Sequence, residues 1–312
     1  MLPWVALVFA VAFCGRPGPD EVIIRQPDLF PEGVQYSSRY NIWLITSLRR
    51  GLVHQVKDDG TIKPLIRDDS TLVSTIGIHV DESRDRVLVA NSDPGVGERT
   101  TPETQRQLAG LGIYRLSTGE KITYTNLGAL RPEYEHFAND IALDGAGNAY
   151  VTDSYSPIIY KVTPEGAASV LIENSRFIGE GFGLNGIAFH RNNFLIVAKM
   201  DEGILFKVPL SNPDNFSRIE LDRTLPGADG IFWTITGDLV VIANEPTDTV
   251  FLVKSTDGWN SGRVAGEMKT GDVYATTGVA RGNRNYVLYA RLNRLFAGQL
   301  PVEEFSIRKV KF

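Results

Sequence analysis

One short pattern recurs six times along this chain, and no feature constrains its fold more. The copies open at "PEGVQYSS", "TIGIHVDE", "ANDIALDG", "LNGIAFHR", "ADGIFWTI" and "TTGVARGN". Each runs on as a short apolar strand, a tight turn, a second strand rich in Val, Leu, Ile and Tyr, a loop, and a third strand. A more polar fourth strand usually follows, as in "TIKPLI" or "AASVLI". The turns carry the residues such turns demand, among them Asp144-Gly145-Ala146-Gly147-Asn148 and Thr236-Gly237-Asp238. Numbered on its third residue, the pattern falls at Gly33, Gly77, Asp140, Gly186, Gly230 and Gly278, in steps of 44, 63, 46, 44 and 48. Four strands in about 45 residues make one propeller blade. The expectation is an all-β, six-bladed β-propeller forming one domain over residues 20–312. No helix-period stretch competes with it, and two stacked sandwiches would not need the same opening tripeptide six times. "EVIIRQP" and "EEFSIRKVKF" both read as strands, and the pattern leaves open which of them is the outer strand of the last blade.

In a propeller the first strand of each blade lines the central channel, so the residues just before the third position share one level at its mouth. In order they are Glu32, Ile76, Asn139, Asn185, Asp229 and Thr277. Four of the six are hard oxygen donors, two carboxylates and two amides. Converging on the axis without a cation, the carboxylates would repel and one would take up a proton. A divalent cation satisfies all four, and an all-oxygen set without His or Cys suits Ca²⁺, other divalent cations being possible. Any one Asn or Asp before a turn glycine is commonly a cap or turn residue; four at one repeat phase point to a metal site.

The residues "PEG", "NDIALDGAGNAYVTD", "NGIAF" and "ADGI" resemble the senescence-marker-protein/gluconolactonase family, which includes regucalcin. More distantly they are similar to diisopropyl-fluorophosphatase and the paraoxonases. "GNAYVTDS", "FLIV", "LFKV" and "STDGW" look like proteins of the calcium-dependent phosphotriesterase superfamily. The resemblance covers nearly the whole chain. It implies an axial divalent cation held by a Glu, one or two Asn and an Asp, here Glu32, Asn139, Asn185 and Asp229. It also implies hydrolysis of esters, lactones or phosphoesters, with the substrate varying within the family.

Chain direction puts the loops between second and third strands on the metal face. They would bring Ser47, Arg49, Asp153, Tyr155, Lys199, Met200, Glu245 and Arg291 around the axis as pocket walls or as solvated rim residues. Asp140 is expected to orient a ligand or a bound water. His136, three residues before Asn139, is a candidate general acid or base or a plain loop histidine. Asp229, a ligand with a free oxygen, is the candidate base or nucleophile. His54, His79 and His190 read as structural. The long step in blade two comes from residues 92–112, a Pro-, Gly- and Thr-rich loop on the metal face with one helical turn, expected to act as a lid.

The first 15 residues are apolar, too short to span a bilayer, and read as a secretory signal peptide with Ala10-Val11-Ala12 as cleavage site. The alternative is a buried or frayed segment, since no Lys or Arg precedes the run. Secretion is compatible with the sequon Asn215-Phe216-Ser217. The single cysteine, Cys14, excludes an intramolecular disulfide. A net charge of −5 without basic runs argues against nucleic-acid binding. The partner expected is a small-molecule substrate met by a monomer without membrane attachment. The leading reading is a Ca²⁺-dependent hydrolase. Its rivals are a propeller resembling strictosidine synthase, which needs no axial cation, and a non-catalytic binding platform with structural Ca²⁺.

Overall fold

Alternating apolar residues and the turns between them fold each repeat into a small antiparallel sheet. The structure, a computed structural model, describes residues 18–67 and 69–312; the expected signal peptide and its cleavage site lie outside them. Blade three shows the logic. Its strands Ala138–Leu143, Ala149–Asp153, Ile158–Val162 and Ala168–Glu173 pair in sequence order. The first turn is tied by the Asp144 carboxylate, which accepts from the Asn148 amide N–H (2.9 Å), the Asn148 side chain (2.8 Å) and the Tyr150 hydroxyl (3.0 Å). Gly147 supplies the left-handed backbone, φ 88°, that closes it.

Six such sheets stand around one axis as a six-bladed β-propeller. The innermost strand of each blade packs on that of the next, and Val34–Ser37 of blade one packs on Ala275–Arg281 of blade six, so the ring closes. Blade six settles the open question of the termini. Its order is Glu21–Ile24, Phe305–Lys309, Arg284–Tyr289 and Ala275–Arg281, so the N-terminal strand is the outer one. Across this seam the Arg281 guanidinium lies over the rings of Tyr36 and Trp43 and pairs with Asp58 at 2.5 Å. Blade five carries one addition, the two-residue strand Glu220–Leu221, parallel to its outer strand Ser261–Lys269.

A register shift opens the first strand of five blades, between Thr75 and Ile78, Ala138 and Ile141, Leu184 and Ile187, Ala228 and Ile231, and Ala275 and Gly278. These bulges set two residues against one and re-aim the first of them. That residue is Ile76, Asn139, Asn185 and Asp229, as the repeats predict. In blade six it is Thr276 and not Thr277. "TTG" places its glycine one residue late, so reading the repeat on Gly278 slips the phase by one. In blade one, which has no such shift, the N–H groups of Glu32 and Gly33 both reach the Thr46 hydroxyl (3.3 and 2.7 Å).

The insertion of blade two runs from the strand Arg86–Ser92 to the strand Ala109–Arg115. Buried Asp93 holds it, accepting from the Gly95 N–H (2.8 Å) and the hydroxyls of Thr100 (2.6 Å) and Thr104 (2.7 Å). Within it Gln105 N–H bonds Thr101 O and Leu108 N–H bonds Thr104 O, the expected helical turning. No helix among the described residues is long and apolar enough to cross a membrane.

Candidate metal centre

Glu32, Asn139, Asn185 and Asp229 line one cavity at the axis, each 7% exposed or less. They come from four blades, and three of them stand in bulges. The Asn139 amide donates to the Ser154 hydroxyl (2.9 Å) and the Asn185 amide to the sulfur of Met200 (3.3 Å), which lines the same cavity. A fifth polar residue joins them. Asn244, just after the second strand of blade five, donates to an Asp229 carboxylate oxygen at 2.7 Å.

What these groups lack is a positive partner. Among the residues lining the cavity there is no Lys, Arg or His. Burial pushes the Glu32 carboxyl well above the ordinary range, and the charges of Asp229 and Asp140 push it further. Burial does the same to Asp229, with Asp140 adding to it and the Asn185 and Asn244 amides opposing. The side-chain oxygens of Asn185 and Asn244 are buried and accept no hydrogen bond. Such orphaned acceptors are costly, and a hard cation satisfies carboxylate and amide oxygens together. The donor set therefore fits a divalent cation. No group of three His, Cys, Asp or Glu side chains placed to hold a metal ion occurs among the described residues, so the amides are integral to this donor set.

Asp140 lies one residue deeper, lining the channel that opens on the opposite face. Its carboxylate accepts from the N–H groups of Ile141 (2.8 Å) and Ile187 (3.2 Å), tying blade three to blade four, and burial raises its pKa to about 7.

The expected polar walls are corrected by the structure. Asp153, Tyr155, Lys199, Glu245 and Arg291 do not line the cavity, nor does His136. His136 is buried with both ring nitrogens engaged, Nδ1 with Asp153 (2.7 Å) and Nε2 with the Arg131 carbonyl (2.9 Å). Burial pulls its pKa down, but the bond to Asp153 and its charge leave it raised overall. A histidine so held fastens a loop and is not free as general base. Asp153 also accepts from the N–H groups of Phe137, Tyr155 and Ser156. Lys199 is buried against Asp201 and Glu202, and Arg291 precedes a short helix, Leu292–Phe296. Tyr155 packs on Phe137 and Phe182 beside the cavity, under the Arg106 guanidinium of the insertion. Ser47 and Arg49 also stand outside the cavity, whereas Met200 lines it; the insertion contributes only Pro94. His79 lines the opposite-face channel and His190 stacks on Phe194 at 4.3 Å, whereas His54, buried in the strand Val53–Val56, leaves its Nδ1 without a partner and is not the satisfied structural histidine expected.

The physical reason is phase. The residues beside the axial donors are Ser154, Met200 and Asn244, whereas Asp153 and Lys199 stand one step earlier and Glu245 one step later. One step along an extended chain turns a side chain to the other face. The rest of the cavity wall is instead largely apolar, with Leu48, Ile76, Phe137, Phe182 and Phe296 in it.

No family model matches the chain, and no curated protein matches it. Solved structures do. The major allergen Mala s 1 of Malassezia sympodialis superposes with a TM-score of 0.75 at 18% identity, covering 94% of this chain and 96% of that one. Regucalcin of Agrobacterium tumefaciens, described as a calcium-binding protein, gives 0.65 at 16% over 95% of each chain. A gluconolactonase of Xanthomonas campestris gives 0.61 at 14%, over 93% of this chain and 90% of that one. Regucalcin and a gluconolactonase, the propellers that give the resembled family its members and name, are thus among the structural neighbours. At these identities the likeness is one of fold.

Proposed function

We propose that this chain is a divalent-cation-dependent hydrolase of lactones, esters or phosphoesters, with Ca²⁺ as the preferred ion. The observation that carries the reading is the axial donor set: buried Glu32, Asn139, Asn185 and Asp229 in one cavity without a basic side chain, two amide oxygens there being unpartnered. The fold likeness to a gluconolactonase and to a calcium-binding regucalcin supports it. A propeller chemistry with no axial cation would leave the carboxylate pair uncompensated, which disfavours the strictosidine-synthase-like alternative.

Glu32, Asn139, Asn185 and Asp229 would hold the ion, which when bound supplies Lewis-acid polarisation of a substrate oxygen and acidifies water. The chain supplies the rest. Asp229 is steered by Asn244, whose amide fixes one carboxylate oxygen and leaves the other to act as base or nucleophile. The apolar walls exclude bulk water and strengthen the electrostatics beneath them.

Turnover of simple lactones, aryl esters and organophosphates, measured with Ca²⁺ and with chelator, tests this. Hydrolysis lost in chelator and restored by Ca²⁺ is expected, and a metal-independent rate would overturn it. Asp229→Asn should abolish turnover while calorimetry still detects Ca²⁺ binding. Full activity in that variant would leave the cation a structural role.

A further inference from the structure

The residues above the axial donors say what kind of molecule this site is built to receive. Leu48, Ile76, Phe137, Phe182, Leu292 and Phe296 face the cavity, and among the described residues its only other polar side chains beside the donors and Asn244 are Tyr274 and the weakly accepting sulfur of Met200. The cavity holds about 40 Å³, room for an ion and a water or two, and opens to solvent between these walls. Two aromatic groups flank the opening. Phe137, Tyr155 and Phe182 form one, with mutual centroid distances of 5.2–5.3 Å, and Arg106 lies 4.1 Å over the Tyr155 ring. Tyr274 and Phe296 form the other, 6.2 Å apart. Apolar surface continues outward on the same face: Ile178 is 58% exposed, Phe296 46% and Leu300 42%.

We propose that the site takes a small lactone or ester carrying an alkyl or aryl group, its carbonyl at the axial donors and its apolar part between the two aromatic groups. This rests on the hydrolase reading above and names its substrate class. A polyhydroxylated lactone is the poor substrate. Each of its hydroxyls would leave water to face carbon, and a buried hydroxyl without a partner is rejected strongly. The walls offer no Ser, Thr, Arg or Lys to meet one. An alkyl or aryl group, by contrast, gains by leaving water in proportion to its area.

Lactams, which resist hydrolysis, separate binding from turnover. The full chain, saturated with Ca²⁺, is titrated calorimetrically with a δ-lactam bearing a pentyl chain and with D-glucono-δ-lactam. The pentyl lactam should bind at least about tenfold more tightly. The double variant Phe182→Ser/Phe296→Ser should lose about tenfold of that affinity while keeping the wild-type rise in melting temperature with Ca²⁺, which checks its fold. Equal or tighter binding of the sugar lactam, no binding of the pentyl lactam, or an unchanged affinity in the double variant would overturn the proposal. The matching lactones are then assayed for turnover. Selective pentyl-lactam binding without hydrolysis of the pentyl lactone would refute the hydrolase and leave the apolar ligand standing.

Discussion

At the residue scale the axial cavity is marked by oxygen atoms that lack partners. Asn185 and Asn244 each hold a buried side-chain oxygen that accepts nothing, beside two carboxylates that burial alone would drive toward protonation. Ligand charge tunes a hard-cation site more than ligand dipole does. Glu32→Gln should therefore weaken Ca²⁺ affinity more than Asn139→Ser, as calorimetric titration of both would show; the opposite ranking would contradict the ligand set. A second prediction concerns His54, buried in the strand Val53–Val56, its Nδ1 without a partner. Burial, aided by the Arg50 charge, lowers its pKa from 6.5 to about 4. Above pH 6.5 the imidazole is neutral whether the chain is folded or not, and nothing is lost. Between 6.5 and 4 only the unfolded chain takes the proton, so stability falls as pH falls, by about 3 kcal/mol at most. His54→Leu should remove this part of the acid sensitivity, narrowing the stability difference between pH 7.5 and 4.5 in urea titrations. An unchanged difference would mean that His54 is not the sensitive group. That Glu32, Asn139, Asn185 and Asp229 share one cavity was legible in the sequence because hard oxygens recur at one repeat phase. Asn244 was not, because its signal is a single amide one residue beyond a strand end, where Glu245 looks the stronger candidate.

At the scale of elements, the bulges position the donors, and glycine makes the bulges fit. A Cβ on Gly186 would lie 2.4 Å from the Asp229 carbonyl oxygen, 2.7 Å from Ile231 N and 2.9 Å from Gly230 Cα, all backbone of the next blade. Backbone held in a sheet cannot step aside as a side-chain tip can. Gly186→Ala should thus cost about 1–3 kcal/mol in stability and, by displacing Asp229, weaken Ca²⁺ binding as well. A variant with wild-type stability and affinity would show that the blades do not meet here as closely as described. The turn chemistry and the alternation told the strands from sequence. What they did not carry was the bulge in blade six, where "TTG" offers a glycine at the wrong position and Thr276 takes the axial level. Thr276 does not line the cavity; its hydroxyl donates to the Glu32 carbonyl at 2.7 Å, joining the last blade to Glu32. The pocket walls were misread for a related reason. Polar loop residues such as Asp153 and Lys199 draw attention, yet each is satisfied within its own loops, Asp153 by His136 and backbone N–H groups and Lys199 by Asp201 and Glu202, and other, largely apolar residues form the surface that faces the axis.

At the scale of the whole molecule, the ring is closed by the outer strand Glu21–Ile24 pairing with Phe305–Lys309 and by Arg281 bridging blade six to Asp58 of blade one. Six blades then press four donors onto one axis, and the central claim is that they do so around a divalent cation. An ion that binds only the folded chain stabilises it by RT ln(1 + [L]/Kd), about 2.7 kcal/mol at a hundredfold excess over Kd. In a chain of 312 residues that is a rise of a few degrees in melting temperature. The double variant Glu32→Gln/Asp229→Asn removes both the charges that attract the ion and the repulsion between them. The deciding measurement is the melting temperature of wild type and double variant in Ca²⁺ and in chelator. The wild type should gain a few degrees from Ca²⁺, and the variant should ignore the ion while melting no lower than wild type in chelator. A variant that gains as much from Ca²⁺ as the wild type would put the cation somewhere other than the axis.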